Sequence, residues 1–186
     1  MEEKILYFEK GGVENTETVL DLVKNYAINN GIMKIVLAST RGNTAKAFLN
    51  AFEGDEMQLI VIPWQYGFGR EEKLFPEQLF PESIVKELQS KGHKVHFGTM
   101  LFHTENLYGV KIPQTIANIL RIFCQGIKVC VEILMMATDG GCLKMGEKVI
   151  AVAGSGVGAD TAVIATTAPS LNMKKLKIHK ILCKPL

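Results

Sequence analysis

Ser39, Thr40, Arg41, Gly42, Asn43 and Thr44 follow one another where an apolar run, KIVLA, gives way to a helix-forming stretch. Three hydroxyls, a guanidinium and a flexible glycine at a strand-to-helix turn can hold a phosphate or another small anion. The first N–H groups of a helix have no intrahelical partner, and the helix dipole adds positive charge there. Arg41 supplies a fork that matches phosphate oxygens. Gly42 lets the backbone come close to a ligand. The same residue types are also ordinary helix caps, so an anion cradle and a plain capped turn both fit. No GK[ST] follows, which excludes a nucleotide-hydrolysing P-loop.

A second glycine-rich turn, Gly154-Ser155-Gly156-Val157-Gly158, follows the apolar run at 148–153. Gly154, Gly156 and Ala159 have the spacing of a dinucleotide-binding fingerprint. That fingerprint needs an acidic residue about 20 positions later for the ribose. Asp160 is the last acidic residue of the chain, so a nicotinamide dinucleotide site is excluded. The turn is read instead as a wall opposite the first, with Ser155 and Thr161 as further donors. Trp64, the sole tryptophan, opens a loop at 63–70 in which Tyr66 and Phe68 recur at alternate positions. It either stacks on a planar ring or pins the loop to the core. His103 and Glu105 are a candidate acid–base pair, with a plain surface histidine as the alternative. Asp139, before Gly140-Gly141, either faces the ligand or closes a helix. The cysteines form no CxxC pair, so buried thiols are expected and a metal site is not.

The elements that must position these residues alternate. Strands are expected at 4–8, 34–38, 57–62, 93–97, 148–153 and 176–183. Helices are expected at 16–30, 44–52, 81–89, 113–123, 128–137 and 160–167. The strands at 34–38 and 57–62 are nearly all apolar, as in a sheet covered on both faces. Such alternation implies a mostly parallel sheet with helices on both sides, whose ligands sit beyond the strand carboxyl ends. The turns at 39–43, 63–70 and 154–158 would then share one rim.

Bulk properties narrow the class. The chain has 186 residues, 47% of them hydrophobic, and a formal net charge of +2. One domain over 1–186 with a single core is expected. The charge is too small to suggest nucleic acid, and the lysines at 174, 175, 177, 180 and 184 are read as protecting an edge strand. No run approaches the roughly 20 apolar residues of a membrane span, so no membrane partner is expected. The acidic start MEEKILYFEKGG does not read as a secretory leader, and a cytoplasmic protein is expected.

The strand–STRGNTA–helix unit at 39–45 resembles the effector-binding turn in the C-terminal domain of pyruvate kinase, which holds a sugar phosphate. Gly156 to Ala162 (GVGADTA) and Lys177 to Pro185 (KIHKILCKP) are similar to the freestanding pyruvate kinase C-terminal domain-like family. So are Ile119-Leu120-Arg121, the stretch from Gly126 to Ile133, Met136-Ala137 and Asp139-Gly140. The resemblance implies a three-layer α/β/α sandwich with a five-stranded sheet, one strand antiparallel. The residues that bind metal and transfer phosphoryl groups in pyruvate kinase have no counterpart here, so kinase activity is not implied. The family's Gly-Thr-His appears as Gly98-Thr99 followed only later by His103.

The leading expectation is a small-molecule-binding domain with a phosphate-anchored ligand. Ser39, Thr40, Arg41, Gly42, Asn43 and Thr44 would hold the phosphate. Gly154, Ser155, Gly156, Gly158 and Thr161 would form the opposite wall, and Trp64 would touch the organic part. Flavin mononucleotide (FMN) and a sugar phosphate are the candidate ligands. A flavin-dependent enzyme, or an acid–base enzyme using His103 or Asp139, is the rival. A ligand-free regulatory or assembly module is the third reading, with the apolar helices over 113–136 burying a homo-oligomer interface.

Overall fold

The all-apolar runs become the centre of one sheet. A computed structural model describes residues 4–68 and 78–186. The strands are β1 (Leu6–Phe8), β2 (Lys34–Ala38), β3 (Gln58–Ile62), β4 (Lys94–Val95), β5 (Lys148–Ala153), β6 (Thr161–Thr166) and β7 (Lys177–Pro185). Their order across the sheet is β1-β7-β6-β5-β2-β3-β4. All are parallel except β6, which runs antiparallel to both β5 and β7. The central five strands have the expected single antiparallel member. Two short edge strands, β1 and β4, bring the count among the described residues to seven where the resemblance implies five.

The alternation of side chains across the pleat assigns the layers. Ile35, Leu37, Leu59, Val61, Ile150 and Val152 face α1 (Thr16–Asn30), α2 (Asn43–Ala51) and α3 (Glu82–Ser90) through Val19, Val23, Phe48, Leu49 and Leu88. Val36, Ile60, Ile62, Val149 and Ala151 face α6 (Gln125–Asp139) through Cys130, Ile133 and Leu134. The short helix α4 (Glu105–Tyr108) precedes α5 (Ile112–Arg121). α5 lies outside α6, where Ala117 meets Val131 and Met135. α6 is thus sandwiched between sheet and helix, which explains its almost wholly apolar sequence.

The helix expected at 160–167 is instead β6. TAVIAT is buried along its length, and a short apolar run of β-branched residues carries no periodicity that separates strand from helix. Its glycine-rich predecessor at 154–158 therefore closes an antiparallel connection between β5 and β6. It opens no helix, and so it lacks the helix N-terminus that an anion wall there would need.

Among the described residues no helix is long and apolar enough to cross a membrane. Four cysteines are unpaired; Cys130 and Cys183 are buried while Cys124 and Cys142 are partly exposed. Burial pushes the Cys130 thiol well above its ordinary range and that of Cys183 up to about 12. Only thiolates alkylate readily. Brief alkylation of the native protein is therefore expected to leave Cys130 and Cys183 unmodified until denaturant is added, which peptide mass spectrometry would read directly.

Candidate functional site

The turn after β2 splits into two jobs. Ser39 continues the sheet, its N–H donating to the Ile62 carbonyl at 3.3 Å. Its Oγ accepts the Ala45 N–H at 3.2 Å and so caps α2. Gly42 has φ +87°, and the place where a Cβ would sit is filled by Ile84 of α3. Its glycine is therefore required by turn geometry and helix packing. Thr44 is buried beneath α2, whereas Arg41 and Asn43 are exposed. Only Ser39 and Thr40 of the six reach a cleft.

That cleft, of about 120 Å³, lies between the carboxyl ends of β2 and β3 and the first turns of α6. Ser39 and Thr40 form one side, Trp64 and Phe68 the second, and His103, Gln125, Lys128 and Glu132 the third. Trp64 and Phe68 meet edge to face with centroids 5.0 Å apart, and Phe68 meets the His103 ring in the same way at 5.1 Å. The Trp64 carbonyl accepts from Gln78 Nε2 at 2.8 Å, and Gln65 Oε1 accepts the Met100 N–H at 2.6 Å. These bonds fix the aromatic loop against its neighbours. Residues 69 and 70 of that loop lie outside the described residues.

The strongest electrostatics come from α6. Lys128 and Glu132 are 1% and 2% exposed, a buried pair of ionisable side chains. Spaced by four on one helix, they face each other with Nζ 2.5 Å from Oε2. Glu132 Oε1 accepts the Phe102 N–H at 2.8 Å and lies 3.4 Å from His103 Nδ1. Lys128 Nζ is also 3.5 Å from that Nδ1 and stands 5.4 Å from the centre of the Phe102 ring. Burial alone would raise the Glu132 carboxyl. The contacts from His103, Lys128 and the Phe102 N–H outweigh it and hold the group below its ordinary 4.5. Burial draws Lys128 down from the lysine range, against the pull of Glu132.

A carboxyl held low in the folded state stabilises the fold at pH values above its unfolded value. That stability is lost as pH falls through the folded value. Urea unfolding followed from pH 7 down to about pH 3 is therefore expected to show a steeper loss for wild type than for Glu132→Gln, which removes the titration. Identical slopes would contradict the assignment.

The structure does not bring the other expected residues to the cleft. Ser155 and Gly12 both donate backbone N–H groups to Asp160 Oδ2, at 2.8 and 3.2 Å. The Ala159 N–H donates to Thr16 Oγ1 at 3.0 Å. The turn holding Gly154, Ser155, Gly156 and Gly158 is thus docked on the segment before α1. Thr161 is buried, donating to Asp160 Oδ1 at 2.7 Å with Cys124 Sγ 3.6 Å away. Asp139 ends α6 at the amino ends of the parallel strands, where Oδ1 accepts the Ser170 N–H at 2.8 Å. Asp139 is not among the residues that line the cleft, whose α6 wall ends at Met136. Glu132, and not Glu105, stands at His103 Nδ1.

Lys128, Glu132 and Gln125 escape a reading of the sequence by motif. A Lys and a Glu four apart on a helix otherwise apolar all round is the signal that could have found two of them. Among the described residues no group of three or more His, Cys, Asp or Glu side chains is placed to hold a metal ion.

No protein-family profile matches the chain. Among solved structures it is similar to a pyruvate kinase from Cryptosporidium parvum, with a TM-score of 0.43 and 16% identity. The similarity covers 84% of this chain and 23% of that one, so the chain spans under a quarter of that kinase's length.

Proposed function

We propose that this protein is a small-molecule-binding domain that holds a phosphorylated ligand in the cleft beyond β2 and β3, without kinase activity. The observation that carries the proposal is that Ser39 and Thr40, at the N-terminal end of α2, line one cleft with the buried Lys128. Ser39 Oγ already accepts from Ala45, which leaves its hydroxyl proton for a ligand oxygen. The dipole of α2 favours negative charge beside Thr40. Trp64 and Phe68 give the organic part an apolar wall.

Size selects among the candidates. Pockets for drug-sized ligands run to roughly 300–1,000 Å³, against about 120 Å³ here. A short sugar phosphate fits that volume, whereas the ring system of FMN would extend beyond it. The resemblance to the pyruvate kinase C-terminal domain-like family agrees with a sugar phosphate after β2. Unpaired cysteines suit a reducing cytoplasm. Exposed Ile112, Ile122 and Phe123 on and after α5 suit self-association.

Thermal-shift measurements test the reading. A short sugar phosphate at a hundred times its Kd is expected to stabilise by about 2.7 kcal/mol. Thr40→Val is expected to weaken binding by about fivefold, the loss of one hydrogen bond. Unchanged melting with dihydroxyacetone phosphate, FMN and inorganic phosphate alike would remove the proposal.

A further inference from the structure

We propose that His103 Nε2 is the acid–base group of this cleft, taking a proton from the carbon beside the carbonyl of a small phosphorylated hydroxycarbonyl compound and returning it. The inference rests on the phosphate-binding reading and adds a reaction to it.

The argument starts at the other ring nitrogen. His103 Nδ1 lies 3.5 Å from Lys128 Nζ, which can only donate, and 3.4 Å from Glu132 Oε1, which as a carboxylate can only accept. With the proton on Nε2, Nδ1 accepts from Lys128. With the proton on Nδ1, it donates to Glu132. Each neutral form of the ring therefore has a neighbour of matching sense within 3.5 Å of Nδ1. In the form with the proton on Nδ1, the Nε2 lone pair can take a proton and the resulting imidazolium can return it from the same nitrogen. Among the described residues Nε2 has no partner, and His103 lines the cleft beside Phe68.

The surroundings suit this role. Phe102, next in the chain, donates its N–H to Glu132 Oε1 and carries its ring under Lys128, so the carboxylate is clamped from the same strand of chain that bears His103. Arg121 on α5 and Glu105 on α4 add charges of opposite sign that act on Lys128. When Nε2 takes the substrate proton, the C–H bonding pair becomes a carbon–carbon double bond and the carbonyl pair moves onto oxygen. The enediolate charge forms in a cleft lined by Lys128, and the imidazolium forms beside Glu132. Return of the proton to carbon closes the cycle with no oxidant, reductant or further reactant. Glu132 is a positioning residue, since it acts through the ring.

Dihydroxyacetone phosphate in D2O is the probe. Broadening of its phosphorus resonance reports binding, and loss of its C–H proton signals reports exchange. Exchange is expected with wild type and is expected to fall at least a hundredfold in His103→Gln, while that variant still broadens the phosphorus line. Binding by wild type without exchange above the protein-free rate overturns the inference and leaves the binding reading standing. Exchange undiminished in His103→Gln also overturns it. No binding by wild type removes the reading beneath it, and the inference with it. Nitrogen NMR of the ligand-free ring provides a second readout, which a merely structural role would not move. Wild type is expected to populate both ring tautomers, Lys128→Met to leave the proton on Nδ1, and Glu132→Gln to shift it toward Nε2. Glu132→Gln, isosteric with the native side chain, decides if Lys128→Met does not fold. A ring fixed in wild type with its proton on Nε2, unmoved by Glu132→Gln, overturns the inference, because Nε2 would then have no lone pair to take the proton.

Discussion

Glu132→Ala is expected to destabilise the protein by about 3–5 kcal/mol, the cost of leaving a buried charge without its partner. Lys128 is 1% exposed and its ammonium is 2.5 Å from the Glu132 carboxylate. Removing the carboxylate strands that ammonium in the interior beside His103 and the Phe102 ring, and it also orphans the Phe102 N–H. The double replacement Lys128→Met with Glu132→Leu is expected to recover most of the loss, because an apolar pair of similar volume carries no desolvation cost. Urea unfolding of the three variants measures this. A Glu132→Ala midpoint within experimental scatter of wild type would mean that the pair is not buried as described. A stable double variant with a dead cleft would show that the charges are retained for function, the expected pattern for perturbed ionisable groups in a cleft.

Asp160→Ala is expected to cost about 3 kcal/mol and to loosen the N-terminal segment first. Asp160 is fully buried and accepts from the Gly12 N–H, the Ser155 N–H and the Thr161 hydroxyl. Each bond to a charged acceptor is worth roughly 1.5–3 kcal/mol, and the three share one carboxylate, so they do not add in full. The Ala159 N–H, which donates to Thr16 Oγ1, lies on the same seam between the start of α1 and the β5–β6 connection. Hydrogen exchange at the Gly12 and Ser155 amides is expected to rise before global unfolding does. Asp160→Asn keeps one carbonyl oxygen and is expected to lose less. Equal protection at both amides in wild type and Asp160→Ala would contradict the clamp.

Much of the fold is legible in the residues themselves. KIVLA and QLIVI read as strands buried on both faces, and the helical spacing of Val19, Val23 and Ala27 fixes the buried side of α1. The one large misreading, at 161–166, falls where a short apolar run is equally compatible with either period. The choice was made by its neighbours: β5 and β7 offer backbone partners on both sides, so an antiparallel strand pairs its backbone in both directions there. That choice also turned the glycine-rich stretch before it from an expected anion wall into a connection docked on Asp160.

The position of the Ser39–Thr40 turn at a strand carboxyl end was readable from local pattern, because a strand, a cap and a helix are set by residues within a few positions of one another. Which charges meet in the cleft was not. Phe102 and Glu132 are 30 positions apart, and Gly12 and Asp160 are 148 apart. The chain alone shows a histidine, a lysine and a glutamate. That they form one cluster depends on α6 crossing the sheet with its first turns at the carboxyl rim, where the loop after β4 returns to cover it. Sequence periodicity tells each residue how deeply to be buried. Only the path of the chain, decided by packing the whole core at once, tells a buried charge which partner it will have.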